Sequence, residues 1–129
     1  MGRSTMSTSI RVLVVDDSLP FREATRDLIE GTPGFEWIGD ANCGEEGIEQ
    51  AARLAPDLVL MDVRMPGIGG VEAARRISAR RGSSIVVLVT GTEITTDLAN
   101  DAAAEVLPKR RLNPASLRRL WQDHERPSS

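Results

Sequence analysis

An α/β fold built on one parallel sheet is predicted from three features of the chain. Apolar runs of strand length recur five times, at Ile10–Val15, Phe35–Gly39, Leu58–Asp62, Ile85–Val89 and Glu105–Leu107. Segments with apolar residues at helical spacing lie between them. Two of the runs, Leu58-Val59-Leu60-Met61 and Ile85-Val86-Val87-Leu88-Val89, show no polar alternation, the pattern of strands covered on both faces. Five strands alternating with five helices imply right-handed crossovers on both sides of the sheet. At 129 residues, 40% hydrophobic and 27% charged, the chain is long enough for one domain and shows no internal repeat.

The elements follow in order. After Ile10–Val15 come Asp16-Asp17, then Ser18 as a helix N-cap with Pro20 in the first turn. Phe21, Ala24, Leu28 and Ile29 fall on the inner face of that helix, which stops at Gly31 to Gly34. The strand Phe35–Gly39 leads to a helix placing Ile48, Ala51, Ala52 and Ala55 inward and ending before Pro56. The central strand runs to Asp62, where Pro66-Gly67 bars direct continuation into helix. The next helix starts near Val71, with Val71, Ala74 and Ile77 inward. Gly82-Ser83-Ser84 turns into the fourth strand, which ends at Thr90-Gly91. A weaker helix carries Ile94, Leu98 and Ala102, and a short strand near Glu105–Leu107 ends at Pro108-Lys109. Asn113-Pro114 opens the last helix, with Leu117, Leu120 and Trp121 inward. Residues 1–9 read as a disordered leader, 10–124 as the folded domain and 125–129 as a flexible tail.

Composition narrows the function classes. A net charge of −3 exerts no general pull on nucleic acid or on an anionic membrane. The arginine pairs at 75-76, 80-81, 110-111 and 118-119 could meet an acidic partner or RNA, but such pairs more often form solvated helix faces. With one cysteine, Cys43, no internal disulfide can form, and its expected role is packing. No apolar run reaches membrane-spanning length, and residues 1–9 lack a signal-peptide core, so a cytoplasmic protein is expected.

The chemistry concentrates at strand ends. The first strand ends at Asp16-Asp17, the third at Asp62, the fourth at Thr90 and the fifth at Lys109. In a parallel sheet those ends share one edge, where α/β proteins bind their ligands. A single strand-ending Asp is commonly a loop cap, but three converging carboxylates repel one another and call for a cation. A hard divalent ion with oxygen ligands, Mg²⁺ above all, suits few carboxylates plus water and a phosphate. Thr90 offers a hydroxyl, and Lys109, the one lysine among sixteen basic residues, offers a compact ammonium for phosphoryl oxygens.

On these residues the chain resembles a response-regulator receiver domain, the phosphorylation module of two-component signalling. The resemblance covers Ile10 to Asp123 and rests on Asp16-Asp17, Asp62, Thr90 and Lys109 in order. The stretches Val-Val-Asp-Asp-Ser-Leu-Pro-Phe-Arg-Glu and Pro-Asp-Leu-Val-Leu-Met-Asp-Val-Arg-Met-Pro-Gly are most like receivers attached to helix-turn-helix DNA-binding output domains. It implies a flavodoxin-like sandwich with strand order 2-1-3-4-5. It further implies Asp62 as phosphoacceptor, with a sensor histidine kinase or a phosphotransfer protein as donor. Asp17, Asp62 and the backbone carbonyl of Arg64 would bind Mg²⁺, and Asp16 would act through water. Thr90 and Lys109 would grip the phosphoryl group. The module would catalyse only its own phosphorylation and dephosphorylation. It is read as acting without a fused output domain, on an unidentified downstream protein, without direct DNA binding; a phosphorylation-dependent dimer is compatible with the resemblance.

The second half departs from the pattern. Position 106, where the resemblance implies a switch aromatic, holds Val106; the chain has no tyrosine, and its phenylalanines are Phe21 and Phe35. The Thr90–Lys109 interval is about one helical turn short, so the fourth helix is expected to be shortened or irregular. Arg110 follows Lys109 in place of proline, which argues against a cis peptide there. Output coupling is therefore expected to be atypical. A second reading is a degenerate receiver acting as a phosphorylation-independent interaction module, and a third is an independent Mg²⁺-dependent phosphatase. Gly67-Ile68-Gly69-Gly70 lacks the spacing of a dinucleotide fingerprint, and Asp16-Asp17-Ser18 lacks the spaced aspartates of a haloacid-dehalogenase-type phosphatase. His124 lies near the tail, which excludes a histidine phosphotransfer module.

Overall fold

The computed structural model describes residues 9–80, 84–91 and 105–124. In chain order they form β1 (Ile10–Val15), α1 (Leu19–Glu30), β2 (Phe35–Ala41), α2 (Gly44–Leu54) and β3 (Leu58–Asp62). There follow α3 (Gly69–Ser78), β4 (Ile85–Thr90), β5 (Glu105–Pro108), a 3-10 turn at Lys109–Arg111, and α4 (Pro114–His124). The strands make one parallel sheet in the order β2-β1-β3-β4-β5, the 2-1-3-4-5 arrangement of a flavodoxin-like fold. The expected helix around Ile94, Leu98 and Ala102, the leader before Ser9 and the tail from Glu125 lie outside the described residues.

Two apolar layers follow from the period-two alternation of strand side chains. Leu13, Val15, Val59, Met61, Val86 and Leu88 face one way, onto Ala51 of α2 and Ala73, Ala74 and Ile77 of α3. Val12, Val14, Leu58, Leu60, Val87 and Val89 face the other, onto Ile29 of α1 and Leu117 and Leu120 of α4. Every residue of β3 is buried, as expected of a central strand. Val106 packs, half-buried, against the α2–α3 layer. No helix among the described residues is long and apolar enough to cross a membrane.

Local chemistry sets the helix ends. Ser18 caps α1, its side chain accepting the Phe21 N–H at 3.3 Å, with Pro20 in the first turn. At the far end of α2, Arg11 donates to the carbonyls of Ala55 (2.7 Å) and Leu54 (2.8 Å), neutralising the negative helix terminus. All peptide bonds among the described residues are trans.

Four details differ from expectation. The second strand continues past Gly39 to Ala41. In α1 Thr25 is buried along with Ile29, and Ala24 is exposed. In α2 Ala52 is exposed, while Gly44, Gly47 and Ala51 are buried; Ala55 falls just past the helix as its exposed C-cap, at a left-handed φ of 49°. The reason is close approach: a Cβ on Gly47 would sit 3.0 Å from the Val15 methyls, so glycines share the inner stripe with Ala51 and Ala52 turns outward. Helix α3 likewise begins earlier than Val71, at Gly69, because glycines 67 and 69 adopt positive φ (84° and 80°) and complete the turn after Pro66.

Gly70 makes the tightest approach in this turn. Its N–H donates to the Val63 carbonyl at 3.0 Å, and a Cβ there would fall 1.9 Å from the Asp62 carbonyl oxygen. Gly70→Ala should therefore destabilise the protein by at least about 3 kcal/mol in urea unfolding. Gly34→Ala, strained only by its φ of 89° with nothing within 4 Å, should cost about 1–2 kcal/mol. Equal losses would contradict the steric account.

Candidate functional site

Parallel register brings the strand ends level. Val15 pairs with Met61, Asp62 with Val89, and Thr90 with Pro108. Asp16, Asp62, Thr90 and Lys109 thus leave the sheet at one edge, within two residues of one another in register. A carboxylate oxygen from each of Asp16, Asp17 and Asp62 lies within 4.8 Å of the others. Asp16 and Asp62 are buried, 1% and 7% exposed, whereas Asp17 is exposed.

Asp16 is held on every side. Its Oδ1 accepts the Ser18 N–H at 2.8 Å, its backbone carbonyl accepts the Arg22 guanidinium at 2.7 Å, and its N–H donates to the Ala41 carbonyl at 3.0 Å. Arg22 is itself anchored by Asp40 at 3.0 Å. The buried Oδ2 receives no hydrogen bond; what neutralises it is the Lys109 ammonium, an ion pair at 2.8 Å. The same Nζ lies 3.6 Å from Asp62 Oδ1.

The two ionisable partners respond in opposite ways. Burial pushes the Asp62 carboxyl upward, Asp16 and Asp17 add repulsion, and the pull of Lys109 and the Val63 N–H leaves its pKa raised to about 6. Burial alone would disfavour the Lys109 ammonium, but contact with Asp16 and the charge of Asp62 outweigh that and hold its pKa above the usual lysine value.

The remaining expected residues are placed as follows. Thr90 is buried at the end of β4, one residue beyond the Val89 that pairs with Asp62. Arg64 stands two residues past Asp62 in the loop to α3, with its side chain exposed. Of the arginine pairs, Arg75 and Arg76 each bind Glu72 at 2.8 Å on a solvated face, and Arg110, Arg111, Arg118 and Arg119 are exposed. Arg80 is exposed too, and Arg81 lies outside the described residues.

Two contributors escape a linear reading. Phe21, in the first turn of α1, brings its ring centroid to 4.2 Å from Lys109 Nζ, and Arg22 locks the Asp16 backbone. Only the spacing from the Ser18 cap pointed toward them, by placing both in the turn that follows the acids.

Residues 12–119 match the family described as the response regulator receiver domain. The chain belongs to that family. Curated relatives of this receiver include a protein-glutamate methylesterase/protein-glutamine glutaminase from Pseudoalteromonas atlantica, 38% identical over 78% of this chain and 27% of the relative. Another is the response regulator GacA of Pseudomonas aeruginosa, 44% identical over 65% of this chain and 39% of the relative. The receiver thus spans roughly a quarter to two fifths of the curated relatives it matches. Among solved structures, the response regulator domain of Thermotoga maritima CheB superposes with a TM-score of 0.79 at 28% identity, covering 92% of this chain and 98% of that one.

The donor set of this receiver fits a hard divalent cation. It offers three carboxylates of convergent geometry and a carboxyl whose ionisation is disfavoured until more positive charge arrives. A folded pKa raised above the unfolded value of 3.8 stabilises the fold only at low pH, and that stability is lost as pH rises toward about 6. In metal-free solution at pH 7.5, Asp62→Asn should therefore be more stable than the wild type, by on the order of 2 kcal/mol in urea unfolding. The difference should shrink toward zero at pH 4 and narrow on adding Mg²⁺. An Asn variant no more stable than wild type at pH 7.5 would refute the electrostatic account.

Proposed function

We propose that this receiver accepts a phosphoryl group on Asp62 from the phosphohistidine of a sensor histidine kinase or a phosphotransfer protein, in the cytoplasm. The observation that carries the reading is the convergence of Asp16, Asp17 and Asp62 with the Lys109 ammonium at the carboxyl edge of the sheet. Mg²⁺ would be held by Asp17, Asp62 and the backbone carbonyl of Arg64, with Asp16 acting through water, and would supply charge neutralisation for the transferring group. An Asp62 carboxylate oxygen forms the new bond to phosphorus as the phosphorus–nitrogen bond breaks. The electron pair leaves on the imidazole nitrogen, which takes up a proton. Phosphoryl transfer asks the protein mainly for position and charge, and Lys109, 3.6 Å from Asp62 Oδ1, is near enough to meet a phosphoryl oxygen. Thr90, buried at the next strand end, would bind a second oxygen through its hydroxyl.

The proposal concerns this receiver step alone. Relatives include both methylesterases and GacA, so the helix-turn-helix association rests on the sequence resemblance. The downstream partner and any phosphorylation-dependent dimer stand on the same footing. Val106, half-buried against the α2–α3 layer, favours one further reading, a receiver whose output is uncoupled from phosphate and which acts as an interaction module.

Intact mass after incubation with acetyl phosphate and Mg²⁺ separates the two. The wild type should gain one phosphoryl adduct that is absent in Asp62→Asn and absent when EDTA replaces Mg²⁺. Asp17→Asn should slow its appearance by roughly 10–100-fold, as loss of a metal-binding carboxylate weakens charge stabilisation. Absence of any adduct on the wild type would instead favour the uncoupled module.

A further inference from the structure

Lysine carries its charge on a flexible four-carbon stem, so an ammonium that must meet a phosphoryl oxygen needs more than attraction to hold it in place. Lys109 is also pulled unequally, 2.8 Å from Asp16 and 3.6 Å from Asp62, and a quarter of its side chain remains exposed. The third contact is the Phe21 ring, whose centroid lies 4.2 Å from Nζ, well inside the range of cation–π attraction.

That ring is itself fixed relative to the acids. The Phe21 N–H donates to Ser18 Oγ, the Ser18 N–H donates to Asp16 Oδ1, and Asp16 Oδ2 faces Lys109. Carboxylate, cap, ring and ammonium therefore close a loop through the first turn of α1. The ring is half-buried and packs against the α1–α4 layer. Phe21 and Lys109 share a cleft of about 200 Å³ with Ala24, Thr25, Leu28 and Leu112. Those neighbours are mostly apolar.

We propose that Phe21 is a positioning residue for phosphoryl transfer: its ring holds the Lys109 ammonium where an oxygen of the phosphoryl group on Asp62 meets it. The assignment rests on Asp62 being the phosphoacceptor. With Val106 on β5, the aromatic ring that contacts Lys109 comes from α1, across the cleft.

Phe21→Leu keeps apolar bulk and removes the π face, whereas Phe21→Tyr keeps the ring. With the full chain, acetyl phosphate and Mg²⁺, the saturated first-order rate of adduct formation should fall roughly 3- to 10-fold in Phe21→Leu and recover in Phe21→Tyr. In a Lys109→Met background, Phe21→Leu should change the rate by less than about 2-fold, because the ring has no cation left to hold. A readout independent of phosphorylation comes from NMR of the metal-free protein. The Lys109 ε-methylene protons should show a ring-current shift in wild type and Phe21→Tyr that disappears in Phe21→Leu. An unchanged rate in Phe21→Leu, an equal loss in the Lys109→Met background, or no ring-current shift in wild type would each overturn the assignment. A wild type that takes no adduct would overturn the phosphoacceptor reading and this assignment together, whereas failure of the ring variants alone leaves the former intact.

Discussion

Three carboxylates gathered at one sheet edge repel one another, and the ammonium of Lys109 is what allows the innermost of them to be buried there. Asp16 is 1% exposed, and a buried charge without a partner is too costly to keep ionised. Lys109 supplies the partner at 2.8 Å. It does not finish the task, since one positive charge faces three negative ones, and burial together with the remaining repulsion raises the pKa of Asp62. An edge left with surplus negative charge and convergent oxygens offers the donor set that a hard divalent cation fits.

The rest of the molecule can be understood as what holds that edge in register. Parallel pairing sets Asp62 opposite Val89 and Thr90 opposite Pro108, so strand ends distant in sequence finish level. The turn after β1 ties Asp16 to Ser18 and Arg22, and Arg22 to Asp40 at the end of β2. On the other side, the turn after β3 is drawn close by Gly70, which leaves no room for a side chain beside the Asp62 carbonyl. Backbone contacts thus flank both buried acids, and little freedom remains for them to separate and relieve their repulsion.

Legibility differed by element. The central strands were plain because unbroken apolar runs have few other uses, and the acids and the lysine could be ordered along the edge once the sheet was parallel. Helix α2 was misjudged in detail: its alanines suggested an inner face, but alanine is a weak marker of burial, and Gly44 and Gly47 let the helix ride against Val15. Phe21 was visible as an apolar residue of α1, with nothing to indicate that its ring would lie beside a residue 88 positions later (109 − 21).

By itself, the sequence determined the alternation of strands and helices, their approximate bounds, and the identities of the acids, hydroxyl and ammonium at the strand ends. Those properties are local: periodicity, caps and turn residues act over a few neighbours. Distances across the edge were decided only by the tertiary structure, including the 2.8 Å pair of Lys109 with Asp16 and the 4.2 Å approach of Phe21. Such contacts depend on strand register and on how closely each helix approaches the sheet. Both are set by packing among segments far apart in the chain, which no local pattern encodes.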